Sequence, residues 1–256
     1  MSERFNYILT SSATAFIAGV MLTASTAVAD TSVAPNLAVS VTSNSGTSVF
    51  NPANHGNVWG NGNSTFNYVG QKSSPNDWNL GWSMLVNPDP FVIANLVVTN
   101  TSAVTQTFIL SVLMPLGSPV GPFSFIGGSV TGSVTDNNGN GATLAAVAGD
   151  SVYSAIVDNV VAGTLLPAPF SKTVGNFQSG VVGPAAFGDA GPGGIPSQFY
   201  IAASTNIGIT LKFTLTAGDS ASFTSIFAIE ANDVPGPGGL ALLGLAGFVG
   251  SRRRRA

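Results

Sequence analysis

The stretch Asp136-Asn137-Asn138-Gly139-Asn140-Gly141 comes nearest to chemistry in its residue types and spacing. Asp136, Asn138 and Asn140 place side-chain oxygens at alternate positions ahead of a glycine. That matches the opening of a calcium loop, whose oxygens converge on one hard cation. The twelfth position of such a loop supplies a bidentate glutamate, but here it is Val147, with Asp150 three residues on. Asp, Asn and Gly also build tight turns without any ion, so a plain turn fits the same letters. His55 is the only histidine. A multi-histidine zinc site is thereby excluded, and any Ser-His-Asp arrangement rests wholly on His55, with no G-x-S-x-G elbow beside it. The nine aspartates between residues 30 and 233 fall mainly at turn positions. They read as turn formers and solubilising charge rather than as paired acids for glycoside hydrolysis. No catalytic residue is assigned, and calcium is the one cofactor considered.

All three tryptophans, Trp59, Trp78 and Trp82, lie with Phe66 and Tyr68 between residues 59 and 82. Flat rings beside Asn and Asp suit stacking on sugar faces, which makes the tryptophans candidate glycan contacts. Aromatic rings also bury large areas, so the same residues serve equally as plugs of a core.

These residues need a scaffold, and the composition indicates which kind. Only 7% of the 256 residues are charged, 45% are hydrophobic, and 31 are glycine. Glutamate and lysine, which favour long surface helices, are scarce, whereas Val, Thr, Ser, Phe and Ile are prominent. An all-β domain is expected. With no cysteine in the chain, disulfides and thiolate metal sites are excluded. Between residues 30 and 233 three lysines face ten acids, a net charge of −7 that repels phosphate backbones and argues against nucleic acid as a partner.

Both ends read as addresses. Residues 1–29 combine Arg4, an apolar stretch over residues 8–22, and Ala27-Val28-Ala29. Small residues at Ala27 and Ala29 suit signal peptidase, with cleavage before Asp30. At the other end Val234, Pro235, Gly236 and Pro237 precede a thirteen-residue apolar run over residues 238–250, and then Arg252, Arg253, Arg254 and Arg255. As a helix the run covers about 20 Å, short of the roughly 30 Å of a bilayer core. The arginines stay cytoplasmic, because moving them through lipid is costly. A brief halt in the membrane followed by processing is the expected course.

This tail resembles the PEP-CTERM sorting signal of exported bacterial proteins: a V-P-E-P-like motif, a glycine- and leucine-rich helix, and terminal arginines. Gly236 stands where the type motif has glutamate, which leaves open which processing enzyme would act. The resemblance implies cleavage by an exosortase, transient membrane insertion, and an extracellular or cell-surface destination linked to exopolysaccharide or biofilm. Residues 213–229 resemble the closing hairpin of ectodomains in such proteins.

Between the ends, strands are expected at residues 37–42, 91–98, 107–114, 123–126, 129–135, 142–147, 152–157, 199–203, 207–215 and 220–229. Residues 207–215 alternate strictly, the pattern of a half-buried strand. Residues 91–98 and 107–114, joined by a short polar turn, predict a hairpin. Residues 184–196, rich in Gly and Pro, predict a loop. The expected architecture is one β-sandwich, immunoglobulin-like or jelly-roll-like, over residues 30–230, with a sorting segment over residues 231–256. The function expected is that of a non-enzymatic exported matrix protein, with a carbohydrate-binding module as the alternative.

Overall fold

A computed structural model describes residues 33–88, 90–189 and 196–231. In the first half the strands are β1 (Ala38–Ser43), β2 (Gly46–Phe50), β3 (Gly56–Gly62), β4 (Thr65–Ser74), β5 (Trp78–Asn87), β6 (Phe91–Asn100), β7 (Gln106–Pro115) and β8 (Val120–Thr135). The rest are β9 (Ala142–Ala146), β10 (Ser151–Val157), β11 (Val160–Pro167), β12 (Ser171–Val174), β13 (Ser179–Phe187), β14 (Gln198–Ala203), β15 (Asn206–Leu215) and β16 (Ser220–Ala231). They form two eight-stranded sheets. One runs β11-β10-β15-β7-β1-β2, with β9 also on β15 and β12 on β9. The other runs β13-β8-β16-β6-β5-β4-β3, with β14 also on β8. All the pairings are antiparallel. The all-β expectation holds, and the two sheets pack face to face as a β-sandwich. Among the described residues no helix is long and apolar enough to cross a membrane; the apolar run over residues 238–250 lies outside them.

Alternation in the sequence becomes the core. On β15, Ile207, Ile209, Leu211, Phe213 and Leu215 are all buried. Phe213 stacks on Phe108 within its own sheet, ring centroids 5.9 Å apart, and on Phe223 of the facing sheet at 4.9 Å. Burying a side chain of this size contributes about 1.5–3 kcal/mol, so the inward rows of both sheets dominate the stability. Two tyrosines tie the layers with directional bonds. The Tyr153 hydroxyl of β10 donates to Ile226 O of β16 at 2.7 Å. The Tyr68 hydroxyl of β4 donates to Pro35 O, just ahead of β1. Burial raises both phenols, Tyr68 to about 12.

The structure corrects the sequence reading in four places. First, β6 and β7 are not a hairpin: β6 lies between β5 and β16, while β7 lies between β1 and β15 in the other sheet. Second, β15 and β16 likewise belong to opposite sheets, so residues 213–229 form an arch and not a closing hairpin. Third, β8 continues unbroken where two strands were expected, its paired glycines Gly127 and Gly128 remaining in register with Ala228 and Phe227. Fourth, the predicted loop begins inside a strand: residues 184–187 belong to β13, which pairs with β8 after an irregularity near Val182.

Gly128 has a packing role. A Cβ built there would sit 2.5 Å from the Phe187 ring and 2.7 Å from the Tyr153 hydroxyl, and one at Gly163 would sit 2.6 Å from the same ring. Phe187 therefore occupies space that two glycines leave vacant, one in each sheet. Gly128→Ala is expected to destabilise the fold by about 1–3 kcal/mol, the usual cost of overpacking. Adding Phe187→Ala should recover most of that loss, as read from urea melts in a double-mutant cycle. Additive losses would contradict the contact.

Candidate functional site

The densest polar cluster lies at one end of the sandwich, where arches carry the chain from sheet to sheet. A crossing arch has no ladder partner for its backbone groups, so side chains must supply one. Asn100 is fully buried and does this for two arches. Its Nδ2 donates to Val104 O at 2.8 Å and to Leu215 O and Thr216 O at 3.0 Å, while Oδ1 accepts from Ser102 N and Oγ. The Asn100 backbone exchanges bonds of 2.9 Å with Asp219 O and Gly218 N. Gln106 Nε2 donates to Asp77 Oδ1 at 2.7 Å, and Ser43 Oγ donates to Asp77 Oδ2 at 2.9 Å, tying in the β1–β2 and β4–β5 turns. This is the capped end of the molecule.

Asp136 belongs to the same cluster. Oδ2 accepts from Phe177 N at 2.6 Å and Gly141 N at 3.1 Å, and Oδ1 accepts from Gly139 N at 3.0 Å and Asn138 N at 3.2 Å. Burial by itself would raise its pKa, but these backbone donors outweigh burial and hold the carboxyl at about 2. Asn138 turns its amide to Ala217 O at 2.8 Å, and its Oδ1 accepts from Asn140 N. The Asn140 side chain is exposed. Asp150, the other acid considered for the loop, pairs with Lys212 at 2.7 Å. Four N–H groups thus aim their positive ends at the carboxylate around which a calcium ion would assemble, an arrangement of anion-binding polarity. Among the described residues no group of three or more His, Asp or Glu side chains is placed to hold a metal. Asp219, beside Asp136, is fully buried. Burial raises its pKa and the Asp136 charge raises it further, against hydrogen bonds from Thr216 and Asn137.

The tryptophans separate. Trp78 and Trp82 are 2% and 4% exposed, so their rings are closed to any glycan and the expectation of sugar contacts is corrected for both. Their strand alternation turns them inward with Leu80 and Met84. Trp82 contacts Phe50, and its buried Nε1 finds no hydrogen-bond partner. Trp59, on the edge strand β3, is 47% exposed. It pairs with Asn67, and the next outward rung reads Val69, Ser83, Asn95, Thr224 and Thr131, all uncharged. His55 is exposed, edge-on to Phe50, with Nε2 3.3 Å from Lys72 Nζ. Its neighbours are thus a ring and a cation, where a Ser-His-Asp arrangement needs a carboxylate.

Ala27, Ala29, Val234, Pro235, Gly236, Pro237 and Arg252, Arg253, Arg254 and Arg255 lie outside the described residues. Sequence reasoning missed Asn100, Gln106 and Asp77. Asn100 falls in the short polar segment between the two expected strands, and the available signal is an amide at the end of an alternating strand, in phase with its buried positions. No protein-family model matches the chain, and no curated protein matches it either.

The pH dependence of stability follows from Asp136. A carboxylate whose folded pKa is depressed contributes stability that is complete above its unfolded pKa and is lost as pH falls through the folded one. Tm should therefore fall from pH ~4 downward, through the Asp136 value of about 2. Asp158 adds to this limb, since hydrogen bonds from Thr205 and Ser204 overcome burial and lower its pKa as well. Asp136→Asn should lower Tm at neutral pH and flatten the acid limb in thermal melts. An acid limb of unchanged steepness rejects this role.

Proposed function

We propose that this chain is a non-enzymatic exported protein, sorted by its C-terminal segment and cleaved by an exosortase-type enzyme to act at the cell surface or in an extracellular polysaccharide matrix. The observation that carries the reading is positional. β16, the last described strand, runs to Ala231, and the Val234-Pro235-Gly236-Pro237 motif begins three residues later, so the motif follows directly on the sandwich in the sequence. The signal peptide over residues 1–29 exports the body, the short apolar run over residues 238–250 halts it, and the arginines keep the end of the tail in the cytoplasm. The body then serves as a sandwich of immunoglobulin-like or jelly-roll-like type whose acids at the capped end are engaged in holding turns. Mass spectrometry of the protein recovered outside the cell should find termini near Asp30 and Pro235. An extracellular form that retains Arg252 to Arg255 rejects the sorting role.

A second reading, a carbohydrate-binding module, is favoured by the one exposed tryptophan among the three. Trp59 stands at the sheet edge beside the uncharged rung of Val69, Ser83, Asn95, Thr224 and Thr131, chemistry suited to a neutral polysaccharide. Trp59→Ala should weaken binding to such a polysaccharide about tenfold, equivalent to roughly 1.4 kcal/mol, as read by affinity electrophoresis. Trp78→Ala should instead disturb folding. Equal binding by the Trp59→Ala and unsubstituted proteins excludes this face.

A further inference from the structure

The end opposite the capped end differs in character. β16 leaves the capped end at Ser220 and reaches this exit end at Ala231, and β1 starts from the same end at Ala38, opposite Leu113. Here β8 extends past the body of its sheet, and β14 lies along it as an edge strand, paired with β8 alone. The register sets Phe199 beside Phe125 and Ile201 beside Phe123. Their parity is opposite to that of the buried Ser124 and Ile126, so they face outward. Phe123, Phe199 and Ile201 are 48%, 57% and 64% exposed. The rings associate with one another, Phe199 lying 5.6 Å from Phe123 and 6.3 Å from Phe125. Next to them is an open depression of about 470 Å³ lined by Pro90, Phe91, Pro119, Ile229 and Glu230. Contiguous exposed aromatic and aliphatic side chains on a soluble face mark a contact surface.

The position of the chain's exit selects the occupant. Ala231 pairs with Ser124 and Glu230 with Phe125, so the last described residues of β16 lie within one strand spacing, about 4.8 Å, of the patch. Only six residues separate Ala231 from the apolar run that starts at Gly238, seven steps along the chain. Fully extended, they span at most about 25 Å. While that run sits in a bilayer, the patch is held within this reach of the lipid surface. Apolar side chains on a protein face, Phe among them, bury at the boundary of headgroups and acyl chains. The charged side chain of the depression, Glu230, is acidic, so attraction to anionic lipid is not the driving force.

We propose that Phe123, Phe199 and Ile201 form a lipid-interface contact that seats the exit end of the body on a zwitterionic bilayer while the tail is inserted. This rests on the sorting role proposed above, and a single experiment separates the two. The chain has no cysteine, so Ser197→Cys can carry a fluorophore beside the patch and Ser45→Cys one at the capped end. Each labelled chain, beginning at Asp30 as after signal-peptide removal, is reconstituted into phosphatidylcholine vesicles containing a nitroxide lipid and then floated on a density gradient. Flotation reports tail insertion, and quenching reports the patch. The label at residue 197 should be quenched and the label at residue 45 should not, at low and high salt alike. Combining Phe123→Ser, Phe199→Ser and Ile201→Ser should restore emission while flotation persists. Floating protein with an unquenched label at residue 197 overturns the proposal and points to another occupant, such as a second copy adding to the β14 edge. Quenching that survives the triple substitution overturns it as well. Absence of flotation removes the sorting role and this contact together.

Discussion

A strand that changes sheets cannot carry its hydrogen-bond ladder through the change, and the organisation of this sandwich follows from that constraint. Where β6 gives way to β7, and again where β15 gives way to β16, the turns have no neighbouring strand, and their inner ends at Asn100, Leu215 and Asp219 are buried. Leaving a buried backbone group unpaired costs about 1–3 kcal/mol. One buried amide, Asn100, meets groups of both arches at once. The two crossings therefore depend on each other, and the sheets they link are fixed in relative position at that end.

The same constraint explains where the few charges have gone. Asp77 and Asp136 accept from hydroxyl, amide or backbone donors at the capped end, and Asp158 collects Ser204, Thr205 and Asn206 at the exit end. A carboxylate accepts several hydrogen bonds at once and holds them more strongly than a neutral group does. With these acids committed to turns, Ser, Thr and Asn recur on the outward faces of the sheets beside exposed apolar side chains such as Val69 and Val97. Several of the polar side chains pair across strands, as in Ser133 with Ser222 and Thr224 with Asn95.

Strand identity was legible where alternation is undiluted. Residues 207–215 announce β15 because every second side chain is large and apolar. Connectivity was not legible. Asn100-Thr101-Ser102 has the composition of a hairpin turn, and only the buried partners of Asn100 in β15 and its following turn make it an arch. β3 escaped notice because Gly56, Gly60 and Gly62 break any period, and β4 because Asn67 and Gln71 resemble loop residues. The Asp136 loop matched a cation motif because the same short side chains that can ligate calcium can also accept backbone N–H bonds. Their role depends on Phe177, a residue 41 positions away. The tryptophans shared one composition and parted by strand parity and edge position, which a local window does not carry.

Because β1 begins and β16 finishes at the same end, tension applied between Ala38 and Ala231 does not slide strands lengthwise past one another. It opens the pile from one side, breaking the transverse bonds in succession rather than all at once. A body strung this way yields gradually under load, starting with the rungs nearest its two attachment points and reaching the Asn100 clamp last.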